Sequence, residues 1–407
     1  MRSSTVALQT RRELPVSSLQ ADSDERSIRR RVGLTWGLMV LNSVGYVGTA
    51  IHIPSAAGKA ITQGALPLAL LVALSINRRV ILRPNVFLCL ESLLAFEAIV
   101  TSFDPQFLGT IYRTFRLVEF VAVLWLLTPW WGRRDLLLLR CHIISLAVIL
   151  SSVFLGILVL PTHAIAGGRL GGVLWDIPPT QVAHYAAVMA GLIIVLWLCG
   201  QVSGMAAAGI VTVTVVMLVL THTRTAITGL IAAVIVASMS LLVAKARVRK
   251  LLASAGALAA ITSLTLSGLI TKWLERGEGA QQLTSLTGRT PVWAALVSFP
   301  RDKFQEIFGF GLSNGSFNGL SIDSNWLASY QEQGLFGVAI CALMLIFLFA
   351  TACFQPRGVQ RALALFLVTY CLVASVTEVG FTDATPYLLE LTLAASMLVP
   401  QQSMSAA

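Results

Sequence analysis

Long apolar runs alternate with short polar segments along this chain, and that alternation sets the fold class. A helix needs about 20 apolar residues, within roughly 17–25, to cross hydrocarbon. Twelve stretches approach that length: 33–50, 60–76, 85–102, 114–130, 141–160, 180–200, 204–220, 225–244, 251–270, 334–354, 362–379 and 386–399. An open sheet would leave its edge backbone groups unpaired in lipid, so the spans are expected to be helices. The pattern predicts an all-α polytopic integral membrane protein with about twelve transmembrane helices. Residues 1–31 are polar and read as a disordered cytoplasmic tail. A single membrane domain is expected over 32–400, and a short cytoplasmic tail over 401–407.

Charge adds an orientation. If the N-terminus is cytoplasmic, the inner loops hold Arg78, Arg79 and Arg83, then Arg133, Arg134 and Arg140, then Lys245, Arg247, Arg249 and Lys250, then Arg357 and Arg361. With the tail, 19 of the 29 Lys and Arg fall inside, as the positive-inside rule demands. Both termini are then cytoplasmic, in a cell inner membrane. Two outer segments are long: the Gly- and Pro-rich 161–179, and the hydrophilic 271–333 before the third-last helix. Within the second, 291–308 reads as a helix lying on the membrane surface, anchored by Trp293, Leu296, Val297 and Phe304. Nothing in it alternates like a strand set.

Composition agrees. Of 407 residues, 56% are hydrophobic and only 12% charged, against about a quarter charged in soluble proteins. The net charge of +10 follows from the inner loops. No basic stripe interleaves with aromatics, which excludes nucleic acid as a partner. The six cysteines sit in or beside apolar runs and read as packing residues. The histidines lack metal-ligand spacing, so no metal or other cofactor is expected.

Ionisable residues at membrane depth are functional candidates by default. Arg113, Arg116 and Glu119 share one face at the outer start of the fourth span, and Arg116 has Glu119 and Glu97 as possible ion-pair partners. Glu378 and Asp383 flank the turn before the last span. Arg169, Arg224 and Arg289 project from outer segments with no acid adjacent in sequence. Guanidinium forks match phosphate oxygens and keep their charge, so three of them converging could hold a diphosphate. Trp175, Trp273, Trp293 and Trp326 on the outer side read either as sugar-stacking platforms or as interface anchors.

Several short motifs point to one family. Gly288-Arg289-Thr290-Pro291-Val292-Trp293, then Gly309-Phe310-Gly311, then Gly334-Leu335-Phe336-Gly337 entering a span, together resemble the signature loop of the O-antigen ligase and polymerase superfamily. Thr223-Arg224-Thr225-Ala226 is similar to that family's Ser-Arg pattern, and Arg169-Leu170-Gly171-Gly172 to another of its arginine positions. The resemblance implies a GT-C-like membrane fold. It implies glycosyl transfer at the outer face of the membrane, with a glycan on a polyprenyl diphosphate as donor and a glycan or glycolipid hydroxyl as acceptor. It implies inversion at the anomeric carbon without a metal, with arginines neutralising the departing diphosphate. Asp323-Ser324 is followed by nine residues and then Gly334, so that Asp323 stands where the family's ligases carry a histidine.

On this reading Asp323, Arg289 and Arg224 are catalytic. Arg169, Arg116, Arg113, Trp293, Trp326 and His222 bind substrate, with His222 in reserve as a base. Asp323 can act as general base, orient the acceptor, or merely cap the following helix. The departure at Asp323 leaves a polymerase or a general polysaccharide ligase both open. A multi-span transporter or flippase of a lipid-linked or envelope substrate is the alternative. It would place charge near the midplane and show two related halves, whereas this chain gathers charge at its outer face.

Overall fold

The computed structural model describes residues 16–44, 54–102, 107–242, 248–249, 289–313 and 315–400. Among these residues, α1 spans Val16–Ser43, α2 Ser55–Ile76, α3 Val86–Thr101, α4 Phe107–Leu127 and α5 Leu137–Val159. A single turn, α6, covers Pro161–Ala164. Then come α7 Pro179–Leu198, α8 Gly204–Leu220 and α9 Arg224–Leu241. The hydrophilic segment holds α10 Arg289–Ser298 and α11 Lys303–Phe308, followed by α12 Asn325–Phe354, α13 Val359–Ala374 and α14 Pro386–Leu398.

Eleven of the twelve apolar stretches fall on these helices, and 251–270 lies outside the described residues. Within α2, Ala56–Ile76 is long and apolar enough to cross a membrane, as are α5, α7, α9 and α12. α8, α13 and α14 are shorter apolar helices. The chain is an all-α multi-pass membrane protein. α7, α13 and α14 are buried along most of their length, whereas α2 and α5 keep large exposed apolar residues such as Leu71, Ile144 and Val148.

The polar N-terminal segment departs from expectation, since it is helical from Val16. Its polar composition hid two stabilising features. Glu25 and Arg29 are four apart on one helical face and pair at 3.0 Å, a spacing that favours helix. Arg133 and Asp135, from the turn before α5, reach Glu25 and Arg29 at 3.0 and 3.1 Å. The Arg133 and Arg29 guanidiniums hold the Glu25 carboxyl below its usual range.

Hydrogen bonds sort the loops into two ends of the bundle. Asn77 Nδ2 donates to the Leu126 carbonyl, Gly132 N to Ser396 and Gln355 Nε2 to Leu398. With the Glu25–Arg133 contact, these bonds place the turns α2–α3, α4–α5 and α12–α13 at one end, and these are arginine-rich turns. At the opposite end Asn42 Nδ2 donates to the Thr62 carbonyl and Gln181 Nε2 to the Ser43 carbonyl. Arg116 Nη2 joins them, donating to Asn42 Oδ1 and to the Ala384 carbonyl at 3.2 and 3.1 Å. The starts of α2, α4, α7 and α14 therefore meet the end of α1 there.

α13 and α14 are about 24 and 20 Å long at 1.5 Å per residue, short of a hydrocarbon core of about 30 Å. The turn 375–385 between them therefore recedes from the bundle end. Irregular backbone at such depth is tolerated where protein satisfies it. Asn325 Oδ1 accepts from Gly380 N and Phe381 N at 3.2 and 2.8 Å, and Asn325 N donates to the Ser375 carbonyl. This clamp explains why the helix stops at Ala374 although the apolar run continues to 379.

Candidate functional site

The segment between α5 and α7 builds a hairpin on a two-residue turn. Ile165–Ala166 pairs with Arg169–Leu170 across Gly167-Gly168, both at positive φ (60° and 74°), the backbone that a tight primed turn requires. The hairpin carries Arg169 to the α8–α9 turn. Arg169 Nε donates to the Thr221 carbonyl at 3.0 Å and its Nη2 to Thr223 Oγ1 at 3.3 Å. Arg224 is the first residue of α9, and His222 occupies the turn at φ 52°. The next residue, Thr225, meets Thr377 Oγ1 through its own Oγ1 at 2.6 Å. Arg169, His222 and Arg224 thus surround one turn that abuts 375–385.

The described part of the hydrophilic segment before α12 is more folded than its polarity suggested. The surface helix expected over 291–308 is broken at Phe299–Arg301 into α10 and α11, where Pro300 interrupts it. Asp302 restarts it with a capping box to Gln305. Leu296 is fully buried, whereas Val297 and Phe304 are exposed. Arg301 holds the break to α12, donating to the Tyr330 carbonyl and Gln331 Oε1 at 3.1 and 2.7 Å. Its guanidinium also lies 4.2 Å from the Tyr330 ring centroid. A short hairpin, Ser316–Phe317 with Leu320–Ser321, turns on Asn318-Gly319, contrary to the expectation of no strands there. The loop closes at Ser324, nine residues before 333, because α12 begins at Asn325.

That hairpin delivers Asp323. Arg289 Nε donates to Asp323 Oδ2 at 3.2 Å, and Ser321 Oγ donates to Oδ1. Arg289, without an acid nearby in sequence, therefore has one in space. The capping role considered for Asp323 is not observed: Ser324 is the cap residue, and Asp323 precedes it in the left-handed backbone region at φ 43°. Trp293 Nε1 donates to the Ile322 carbonyl at 2.6 Å, tying α10 to the Asp323 backbone. Trp326 is half-buried against the main core.

The glycine motifs have a packing cause. Gly309 (φ 75°, ψ −165°) and Gly334 (φ 61°, ψ −160°) both occupy a backbone region open essentially to glycine alone. Each lies against the other's segment. A Cβ on Gly334 would sit 2.4 Å from the Ile307 backbone, and one on Gly309 2.4 Å from Glu332. Phe310 N and Gly311 N donate to the carbonyls of Gln331 and Glu332. Glu332 Oε1 accepts from Ser313 N, Ser313 Oγ and Gly315 N at 3.0, 2.8 and 3.1 Å. The kink in α12 is thus a socket that fixes the loop carrying Arg289 and Asp323.

Glu378 joins these parts. It lies between Thr377, which meets Thr225 beside Arg224, and Val379, which packs with Ile322 beside Asp323. Residues distant in sequence therefore converge on the 375–385 turn. Glu378 also lines a cavity of about 590 Å³, together with Lys59, Tyr112, Arg113, Arg116, His184 and Asp383. Arg113 and Arg116 share Asp383 at 3.2 and 3.8 Å, so Arg116 pairs with Asp383 and not with Glu119 or Glu97. Behind the wall residue His184, its Nε2 lies 2.8 Å from Glu390 Oε1.

The structure thus places Arg169, Arg224, His222, Arg289 and Asp323 around one turn, and Arg113 and Arg116 in an adjoining cavity. Lys59, Gln181 and His184 were not anticipated, and no local motif marks them. Glu378 and Asp383 were visible only as acids beside a turn. No family model matches the chain, and no curated protein does either. It is similar to one chain of a solved structure described as "Structural coordination of polymerization and crosslinking by a peptidoglycan synthase complex". Identity is 18%, coverage is 77% of this chain and 95% of that one, and the TM-score is 0.44. A likeness this distant does not carry function from one protein to the other.

Proposed function

We propose that the protein is a membrane glycosyltransferase that moves or polymerises a glycan from a polyprenyl diphosphate onto an acceptor hydroxyl. The reaction takes place at the outer face of the cytoplasmic membrane, as the resemblance to O-antigen ligases and polymerases implies. The convergence of the segments that carry Arg169, Arg289 and Asp323 on the 375–385 turn, at the end away from the arginine-rich turns, supports this reading. The acceptor oxygen forms a bond to the anomeric carbon while the bond from that carbon to the diphosphate oxygen breaks. Asp323 takes the hydroxyl proton, and the diphosphate leaves with the bonding electrons. Guanidinium donors at Arg169, Arg224 and Arg289 stabilise charge as it grows on the leaving oxygen. The test uses purified protein in nanodiscs with a polyprenyl-diphosphate oligosaccharide, a glycan or glycolipid acceptor and EDTA. Transferred or lengthened glycan with release of polyprenyl diphosphate is expected. Movement of intact donor across the bilayer without bond cleavage would overturn the proposal.

A further inference from the structure

Two cavities reach α14 from opposite ends of the bundle. The larger, of about 590 Å³, is lined by Pro386 and Tyr387 at the start of the helix, with His184 beside them. The smaller, of about 10 Å³, is lined by Ser396 and Met397 at its end, with Gly132 and Arg133 of an arginine-rich turn. Its volume is about what one water needs. Glu390 lies behind His184 and is six residues before Ser396 on α14, so only about 9 Å of helix separates the two levels. A full hydrocarbon core is about 30 Å thick. The short α14 and the receding 375–385 turn cause this thinning.

The thinned layer is rich in buried ionisable side chains. His184 Nδ1 meets Tyr370 Oη at 3.2 Å, and its Nε2 lies 2.8 Å from Glu390 Oε1. Cys371 Sγ donates to Glu390 Oε2 at 3.6 Å. Thr392, about 3 Å further along α14, donates to Glu91 Oε1 of α3 at 3.2 Å. On α5, His142 Nδ1 accepts from Trp36 Nε1 at 3.3 Å. His142 stands one turn from Leu138, which lines the smaller cavity. His184, Glu390, Glu91 and His142 are all buried. Glu91 Oε2 and His142 Nε2 have no hydrogen-bond partner among the described residues. Packing alone does not call for such groups, because apolar replacements of a buried ion pair are often neutral or stabilising. Ionisable side chains inside a membrane protein mark ion and proton paths. The proposed glycosyl transfer uses none of these four.

We infer that protons pass through the protein between the two cavities, along α14, with His184 and Glu390 as the entry pair. His184 takes up a proton at Nδ1, beside Tyr370 Oη, and gives one up from Nε2. That N–H bond breaks as an O–H bond forms on Glu390 Oε1. Glu91 and His142, on the two neighbouring helices, carry the proton through the next layer to the smaller cavity, where it returns to solution. Uptake on one side balances release on the other, and no oxidant or reductant takes part.

The test places the whole protein in phosphatidylcholine vesicles that hold a pH-sensitive dye and an imposed pH gradient, with potassium and valinomycin to balance charge. No glycan or polyprenyl substrate is present, so the outcome is independent of the transferase reading. The wild type is expected to dissipate the gradient faster than protein-free vesicles do. Glu390→Gln and Glu91→Gln, which keep side-chain shape, should each return the rate to the protein-free level, with melting temperatures measured alongside. A second measurement needs no variant. A bilayer-soluble carbodiimide, which couples to buried carboxyls, should block the wild-type flux and leave its label on Glu390 or Glu91 in peptide mass spectra. A wild type no faster than protein-free vesicles overturns the inference. Undiminished flux in Glu390→Gln or after carbodiimide treatment also overturns it, because the protons would then be crossing elsewhere.

Discussion

Arg289→Ala will lower glycan transfer by about 10²–10³-fold, the usual effect of removing one donor aimed at developing charge, while the protein stays folded. Arg289 opens α10, and its side chain is about a quarter exposed. Its bond to Asp323 joins two partly solvated groups, and such pairs contribute little to stability. Its electrostatic role is larger, because it is paired to Asp323, the proposed base. Arg289→Lys keeps the charge but loses the planar fork, and should recover only part of the rate. Initial rates in nanodiscs, with melting temperatures measured alongside, check this. Wild-type transfer by Arg289→Ala would take the residue out of the mechanism.

Gly334→Ala will destabilise the protein by several kcal/mol, through a cause unrelated to the chemistry. The backbone region costs about 1–3 kcal/mol for a residue with a Cβ. The added carbon would also overlap the Ile307 backbone at 2.4 Å and Gly309 N at 2.6 Å. Those atoms are main chain held between two helices and cannot swing aside. Gly319→Ala is the control: its φ is 79°, yet nothing lies within 4 Å of the new carbon, so only conformational strain is added. Melting in detergent should therefore show a large shift for Gly334→Ala and a small one for Gly319→Ala. Equal shifts would mean that the socket between α11 and α12 does not matter.

These two substitutions separate residues whose role is visible in a motif from residues whose role is visible in space. Gly309-Phe310-Gly311 and Gly334-Leu335-Phe336-Gly337 stood out in sequence, but their mutual contact did not. The Asn318-Gly319 dipeptide is a hairpin signal that could have been recognised, and short flanking strands obscured it. Apolar runs located the helices because burial in lipid depends on local composition. They misjudged where α13 ends because the stopping agent is the Asn325 side chain, distant in sequence. They also misjudged the N-terminal segment, whose helix is supported by Arg133 and Asp135 from another loop.

What the sequence determined alone was everything governed by solvent preference along the chain: the all-α class, the apolar helices among the described residues and the loops that carry the basic residues. It also supplied the candidate arginines, since a guanidinium is charged wherever it is placed. The tertiary structure decided which of them share a site. Electrostatic attraction depends on distance through space, and only the fold brings the segments that carry Arg169, Arg289 and Asp323 to the 375–385 turn, or Arg113 and Arg116 to Asp383.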